Sequence, residues 1–295
     1  MEKRQIEKSE LVLTENSRIY HLHLHPDEVG DTVFLVGDPG RVKMMSGLFD
    51  RIDHRIENRE FVTHTGEFNH QRVSVISTGI GTDNIDIVMN ELDALVNIDF
   101  STRTVKDRLK SLRIIRLGTS GALHSDIEPG SIIVAAVAGG LDNLMHFYRS
   151  YREVTDHDLS LAFMKHMEWN PVNSTPYFVH ASDTLVKKMK TDHFFSGITL
   201  SAPGFYAPQG RALRSRIHDD NYVDRISSFR FGQFRINNFE MEGSALYGLS
   251  RTLGHQALTV CIALANRPTG KFVTDYQPFV LRLLEESLER ILHDE

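Results

Sequence analysis

The chain predicts an α/β fold in one domain spanning residues 1–295, with a mixed or largely parallel sheet and helices on both faces. Three observations predict it. Short β-branched runs alternate with amphipathic segments from end to end, the pattern of strands connected by helices. Several runs pass straight into glycine or other small residues at their C-terminal ends, where open α/β sheets bind ligands. No internal repeat, low-complexity tract or Pro/Ser-rich linker divides the 295 residues.

Strands are expected at 32–36, 72–78, 113–117, 131–137, 197–202 and 257–264, each a compact apolar run bounded by polar or turn residues. A helix is expected over 83–96, where Ile85, Val88, Met89, Leu92 and Val96 recur at three-to-four spacing. A second is expected over 241–253, closed by Gly254 as its C-cap. The third, 277–292, repeats the stripe with Val280, Leu283, Leu284, Leu288 and Ile291. Residues 1–17 read as an N-terminal extension, and the polar stretch 215–235 as a surface insertion or flap.

Composition excludes several classes. Hydrophobic residues make up 41% and charged residues 24%, ordinary for a soluble protein, and no run approaches the ~20 apolar residues of a membrane span. The N-terminus alternates charges and shows no secretory pattern, so a cytoplasmic location is expected. The formal net charge of -6 argues against a nucleic-acid partner. Cys261 is the single cysteine and sits in an apolar run, as a buried structural thiol does. Disulfides and cysteine-based zinc sites are therefore excluded.

The motifs lie at the expected strand ends. Gly37-Asp38-Pro39-Gly40-Arg41 follows the first strand and offers backbone amides and a guanidinium to an anion, although such a sequence is also a common turn. Ser77-Thr78-Gly79-Ile80-Gly81 joins a strand to a helix but lacks the third glycine and the following acid of a dinucleotide site. No glycine-rich Lys-Ser/Thr loop supports nucleoside triphosphate hydrolysis. Arg116, inside an apolar strand and followed by Thr119, Ser120 and Gly121, needs an anionic partner, either a phosphate or a structural carboxylate. Glu240 and Glu242 flank Met241 at the expected start of a helix, where a spacing of two gives them separate faces and separate roles. Phe205, Gln209 and Arg211 share one glycine- and proline-bounded loop, suited to stack on a planar base and hydrogen-bond its edge. His21, His23 and His25 would share one face of a strand and there could hold a metal, the mark of a hydrolase.

Taken in order, these segments resemble the nucleoside phosphorylase I family, and within it the uridine phosphorylases. The matching segments are Arg18-Ile-Tyr-His21, Gly37-Asp-Pro-Gly-Arg41, Arg59-Glu-Phe61, Ser77-Thr-Gly-Ile-Gly81, Arg116-Leu-Gly-Thr-Ser-Gly121, Phe205-Tyr-Ala-Pro-Gln-Gly-Arg211, Phe239-Glu-Met-Glu242 and Asn266-Arg267. The resemblance implies a three-layer α/β/α fold whose mixed central sheet closes partly into a barrel, assembled as a dimer or a hexamer of dimers. It implies that Gly37, Arg41, Arg116 and Thr119 bind phosphate, with Arg59 donated by a neighbouring subunit. Met241 and Glu242 would bind ribose, with His21 of the neighbour at the 5′-hydroxyl, and Phe205, Gln209 and Arg211 would bind the base. Some members bind potassium at the dimer interface through residues matching Glu60, Ile80 and a serine that here is Asn84. Gly243 and the Ala207-Pro208 pair also depart from the usual bacterial residues.

The implied activity is the phosphorolysis of uridine, or deoxyuridine, with phosphate as co-substrate and no other required cofactor. Arg41, Arg116, Gln209 and Arg211 would carry the catalysis, by holding the nucleophile and stabilising the leaving base. A purine nucleoside phosphorylase of this fold would have aspartate where Asn266 stands, and a nucleosidase would have no use for three phosphate arginines. A metal-dependent hydrolase built on the histidine run and a non-catalytic nucleoside-binding protein are the readings from other classes.

Overall fold

Residues 4–293 are described by the structure, a computed structural model; the ends of the domain at 1–3 and 294–295 lie outside the described residues. Strands β1 (Thr32–Val36), β2 (Arg51–Asn58), β3 (Phe61–Phe68) and β4 (Gln71–Ser77) come first, with helix α1 (Pro39–Ser46) after β1 and α2 (Thr82–Asn97) after β4. A small hairpin, β5 (Ile98–Asp99) and β6 (Thr104–Val105), precedes the long strands β7 (Arg113–Ala122) and β8 (Ile132–Gly140). Next come α3 (Tyr151–Val154), α4 (His157–Met167), β9 (Tyr177–His180), α5 (Asp183–Met189) and β10 (Phe195–Ser201). The chain ends with α6 (Tyr222–Ser228), β11 (Arg230–Phe231), β12 (Phe234–Glu240), α7 (Gly243–Leu253), β13 (Gln256–Asn266), β14 (Lys271–Phe272) and α8 (Gln277–Leu292).

The main sheet is mixed and partly closed. Its order is β11-β12-β10-β8-β13-β7-β1-β4-β3-β2, with β9 beside β8 and β14 beside β13. An additional pairing of β12 with β7, Phe239 opposite Gly121 and Asn238 opposite Ala122, returns the strands β7-β13-β8-β10-β12 on themselves as a closed ring. The small residues Gly118, Gly121 and Ala122 let β7 serve the ring at one end and the open sheet at the other. β1 lies parallel between β4 and β7 and is buried at all five positions, which is why it reads as an unbroken apolar run.

Helices α2 and α7 pack on each other, while α1, α5 and α8 form a second group. The expected stripe of α2 is buried at Ile85, Val88, Met89 and Leu92. A separate aromatic cluster forms where α4 and α6 pack together and against β9 and β12: the Phe163 ring meets Phe178 and Phe229, each with centroids 5.3 Å apart. Phe229 belongs to the polar stretch 215–235, which carries α6 and buries Ile226 as well. The extension before residue 17 runs back onto the small hairpin, where the Ile6 N–H donates to Arg103 O at 2.8 Å. No helix among the described residues is long and apolar enough to cross a membrane.

Candidate active site

The C-terminal ends of β1, β4, β10 and β12 and the middle of β7 bring the sequence motifs to one cavity of about 620 Å³. Gly37, Arg41, Arg116 and Thr119 line it together with Phe205, Gln209, Arg211, Met241 and Glu242.

At the cationic part, Gly37-Asp38-Pro39-Gly40 is the start of a helix rather than a free turn. Asp38 caps α1 by accepting the Gly40 N–H at 2.7 Å, and Pro39 occupies the first turn, where its missing N–H costs nothing. Arg41 therefore stands in the first turn of α1. Burial lowers its pKa, and the neighbouring Arg116 lowers it further against the opposing charge of Asp38. Two like charges in a partly buried site call for an anion.

Arg116 is 5% exposed and does not stand free. Its Nη1 lies 3.3 Å from Glu240 Oε2, and its Nη2 donates to Glu242. Burial alone would push its pKa down, but Glu242 and Glu240 more than reverse this and hold it above the ordinary value. The guanidinium lies over Gly118, where a Cβ would approach Nη1 to 2.2 Å, so a side chain there would displace Arg116 from this position. The structural carboxylate partner weighed for Arg116 is thus present, in the same cavity as the expected phosphate ligands.

The helix placement expected for Glu240 and Glu242 is corrected by this geometry. The helix begins at Gly243, not Met241, so Glu240 is a strand residue and Glu242 a cap, and the helix-face argument does not apply. Glu240 also caps α7, accepting the Glu242 and Gly243 N–H groups at 3.0 and 2.9 Å. Its other oxygen accepts from Ser201. Burial and the Glu242 charge raise the Glu240 pKa, against the pull of Arg116.

In the loop after β10, Arg211 Nη1 donates to Gln209 Oε1 at 2.5 Å and to Phe205 O at 2.7 Å. With the Gln209 oxygen accepting from Arg211, the Gln209 NH₂ donors are the free side of the amide. The Arg211 guanidinium covers the Phe205 ring, 3.8 Å from its centroid. That face of Phe205 is therefore taken, and a stacked base would use the other face or displace the arginine. Burial, with the charge of Arg267 next, lowers the Arg211 pKa to about 10. Arg267 fixes the loop itself, donating to Gln209 O at 2.9 Å and Gly210 O at 3.0 Å.

His21 and Arg59 lie elsewhere, side by side on an exposed face. His21 Nδ1 is 2.7 Å from Glu91 Oε1, and Arg59 Nη2 donates to Tyr20 Oη at 3.3 Å. The Tyr20 and His21 rings are 4.8 Å apart, edge on. Arg59 occupies the turn between β2 and β3, beside the edge strand β2. Of the residues matched to a potassium site, Ile80 lines the cavity mouth, while Glu60 and Asn84 both crowd Gly79.

The histidine run forms no strand. His25 instead sits at the N-cap of a 3₁₀ turn and His23 adopts a positive φ of 56°, so the shared face needed for a metal is lost. No group of three or more metal-ligating side chains occurs among the described residues. Cys261 is buried beside Arg116, and burial pushes its thiol up to about 12, so it is no nucleophile. Asn266 is spent on structure: its Nδ2 donates to His124 O and Ile127 O at 2.8 and 2.9 Å, and its Oδ1 accepts from Thr269.

The sequence left Ser201, Gly118 and Arg267 without roles and gave Glu240 no specific one. Arg267 lay inside a matched segment. Ser201 carried no signal, because its contact with Glu240 joins β10 to the end of β12 across 39 residues.

A partly closed α/β sheet thus carries a guanidinium pair and an amide-guanidinium pair in one cavity, a lining that suits an anion beside a planar polar group. A family model described as the Phosphorylase superfamily matches residues 31–294, and the chain belongs to that superfamily. It is a nucleoside phosphorylase, resembling the uridine phosphorylases. It is 32% identical over 261 residues to the uridine phosphorylase of Thermococcus kodakarensis, covering 88% of this chain and 81% of that one. A purine nucleoside phosphorylase DeoD-type of Listeria monocytogenes is 24% identical over 252 residues, 85% of this chain and 88% of the relative. Among solved structures, a Trypanosoma brucei nucleoside phosphorylase described as showing uridine phosphorylase activity superposes with a TM-score of 0.87 at 28% identity, covering 96% of this chain and 99% of that one.

Proposed function

We propose that the chain catalyses the reversible phosphorolysis of uridine, and of deoxyuridine, to uracil and the pentose 1-phosphate. The observation that carries the reading is that Arg41 and Arg116 share one cavity with Gln209 and Arg211. A phosphate oxygen attacks C1′ as the bond from C1′ to N1 breaks, and the base departs with its negative charge spread over the ring carbonyls. The arginines hold the phosphate beside the developing oxocarbenium ion. Arg211 and the Gln209 NH₂ group donate to the carbonyl oxygens, and the departing base takes its proton from the phosphate or from solvent. No covalent enzyme intermediate is needed. Glu242 binds the ribose hydroxyls beside Met241.

The alternative purine phosphorylase is disfavoured because Asn266 is neither acidic nor turned to the cavity, its amide being spent on residues 124, 127 and 269. We further propose that the enzyme works as a homo-oligomer in which His21 and Arg59 serve the neighbour's cavity. Its one cysteine, buried and unpaired, suits a reducing cytoplasm.

Base release from uridine is expected to require phosphate and to survive a chelator, because the inferred charges are arginine charges. Uridine, thymidine, inosine and adenosine are each incubated with and without phosphate. Equal uridine rates in both conditions contradict the phosphorylase reading, and a preference for inosine contradicts the pyrimidine assignment.

Gln209→Ala and Arg211→Ala are each expected to lower kcat/KM for uridine by about 10- to 100-fold, the worth of a hydrogen bond to a charged group. The KM for phosphate should barely move. A rise in phosphate KM with unchanged selectivity among bases would remove the loop from the base site.

A further inference from the structure

The triad of Arg116, Glu240 and Glu242 carries a formal charge of -1 in a nearly closed pocket, with exposures of 5%, 4% and 3%. This is the place assigned above to an incoming phosphate anion, so the two carboxylates compete with the ligand for Arg116, although Arg41 lines the same cavity. A phosphate gains the Arg116 guanidinium only when a carboxylate lets it go.

The two carboxylates are not held alike. Glu240 is pinned by Ser201 and by the N–H groups of Glu242 and Gly243 at the start of α7. Glu242 stands just outside the helix as its N-cap residue. Apart from Arg116, its oxygens accept only backbone N–H groups, from Gly81 at 2.8 Å and from Met241 at 3.2 Å. Arg116 has unused capacity, for its Nε is buried without a hydrogen-bond partner and its Nη1 meets Glu240 only at ion-pair distance. The partner that can let go is Glu242, and Arg116 has donors to offer when it does.

We infer that Glu242 exchanges partners during binding: it trades Arg116 for the ribose hydroxyls, and the released guanidinium takes the phosphate while Glu240 stays in place. The inference rests on the assignment of Glu242 to ribose and Arg116 to phosphate. Each substrate then removes the other's competitor, so phosphate and nucleoside bind with positive coupling, equal in both directions. The coupling belongs to the sugar hydroxyls, because the base meets Gln209 and Arg211 instead.

Calorimetric titration of inorganic phosphate tests this. The protein is used alone, saturated with pseudouridine, whose carbon-carbon glycosidic bond resists phosphorolysis, and saturated with uracil. Phosphate is expected to bind about 5-fold or more tightly with pseudouridine and within roughly twofold of the free value with uracil. Glu242→Gln is expected to bind phosphate alone more tightly than the wild type does, with no further gain from pseudouridine. If that variant does not fold, the wild-type titrations decide. Equal phosphate affinity with and without pseudouridine overturns the exchange while leaving the phosphorylase reading intact, and so does an equal gain from uracil. Failure of both phosphate and pseudouridine to bind overturns the functional reading itself.

Discussion

Arg116→Ala is expected to lower kcat/KM by about 100- to 1000-fold, the scale of losing one preorganised charge contact in a transition state. It is also expected to destabilise the fold, by about 3–5 kcal/mol, because it leaves two buried carboxylates without their cation. Arg41→Ala separates the two effects. Burial lowers the Arg41 pKa, while the attraction of Asp38 and the repulsion of Arg116 oppose each other there, and because Asp38 is exposed the removal of Arg41 leaves no buried carboxylate without a cation. It should match the activity loss with little change in the denaturation midpoint. Both are checked by steady-state kinetics beside urea unfolding. An Arg41→Ala enzyme with normal phosphate KM and kcat contradicts the placement of phosphate at α1.

Arg59→Ala is expected to be nearly inactive as a homodimer although Arg59 does not line its own chain's cavity, and activity should return on mixing with Arg41→Ala. In a two-fold dimer each subunit donates Arg59 and receives its partner's. A mixed dimer pairs the Arg41→Ala chain's intact Arg59 with the other chain's intact Arg41, giving one complete site of two. Half the dimers in a random mixture are mixed, so recovery reaches up to about a quarter of wild-type activity. The motivation is the position of His21 and Arg59, side by side on an exposed face beside the edge strand β2. Verified heterodimers with no activity above the parents' average would show that Arg59 does not act across the interface.

The interior of the fold was legible because its signals are local. β1 and α8 run over the expected residues, since a parallel strand buried on both faces and an amphipathic helix each imprint a pattern on their own sequence. Strand ends were less legible. β7 continues through Gly118, Thr119, Ser120, Gly121 and Ala122, of which only Thr119 favours a strand, because β13 and β12 pair with them. The edge strand β2 is absent from the expected strands, and its alternation of exposed and half-buried residues shows why: one face carries Arg51, Asp53, Arg55 and Glu57. α1 was hidden inside a glycine-proline sequence that serves a helix start as well as a turn.

The site was legible as segments and not as contacts. The motifs around Arg41, Gln209 and Glu242 follow their strands in the sequence and Arg116 lies inside β7, and the mixed, partly closed sheet delivers them to one cavity. The Arg116-Glu242 contact spans 126 residues, and no local spacing encodes it. Arg116 did announce a buried charge in need of an anion. It could not announce that the ligand-free protein supplies that anion itself.

The central claim is that phosphate, not water, receives the pentose. Phosphorus NMR of the purified protein incubated with uridine and inorganic phosphate tests it most directly. The account expects a pentose 1-phosphate resonance to grow in equal amount with released uracil, and to reverse on addition of excess uracil. Release of uracil with free ribose and no new phosphate ester would contradict it.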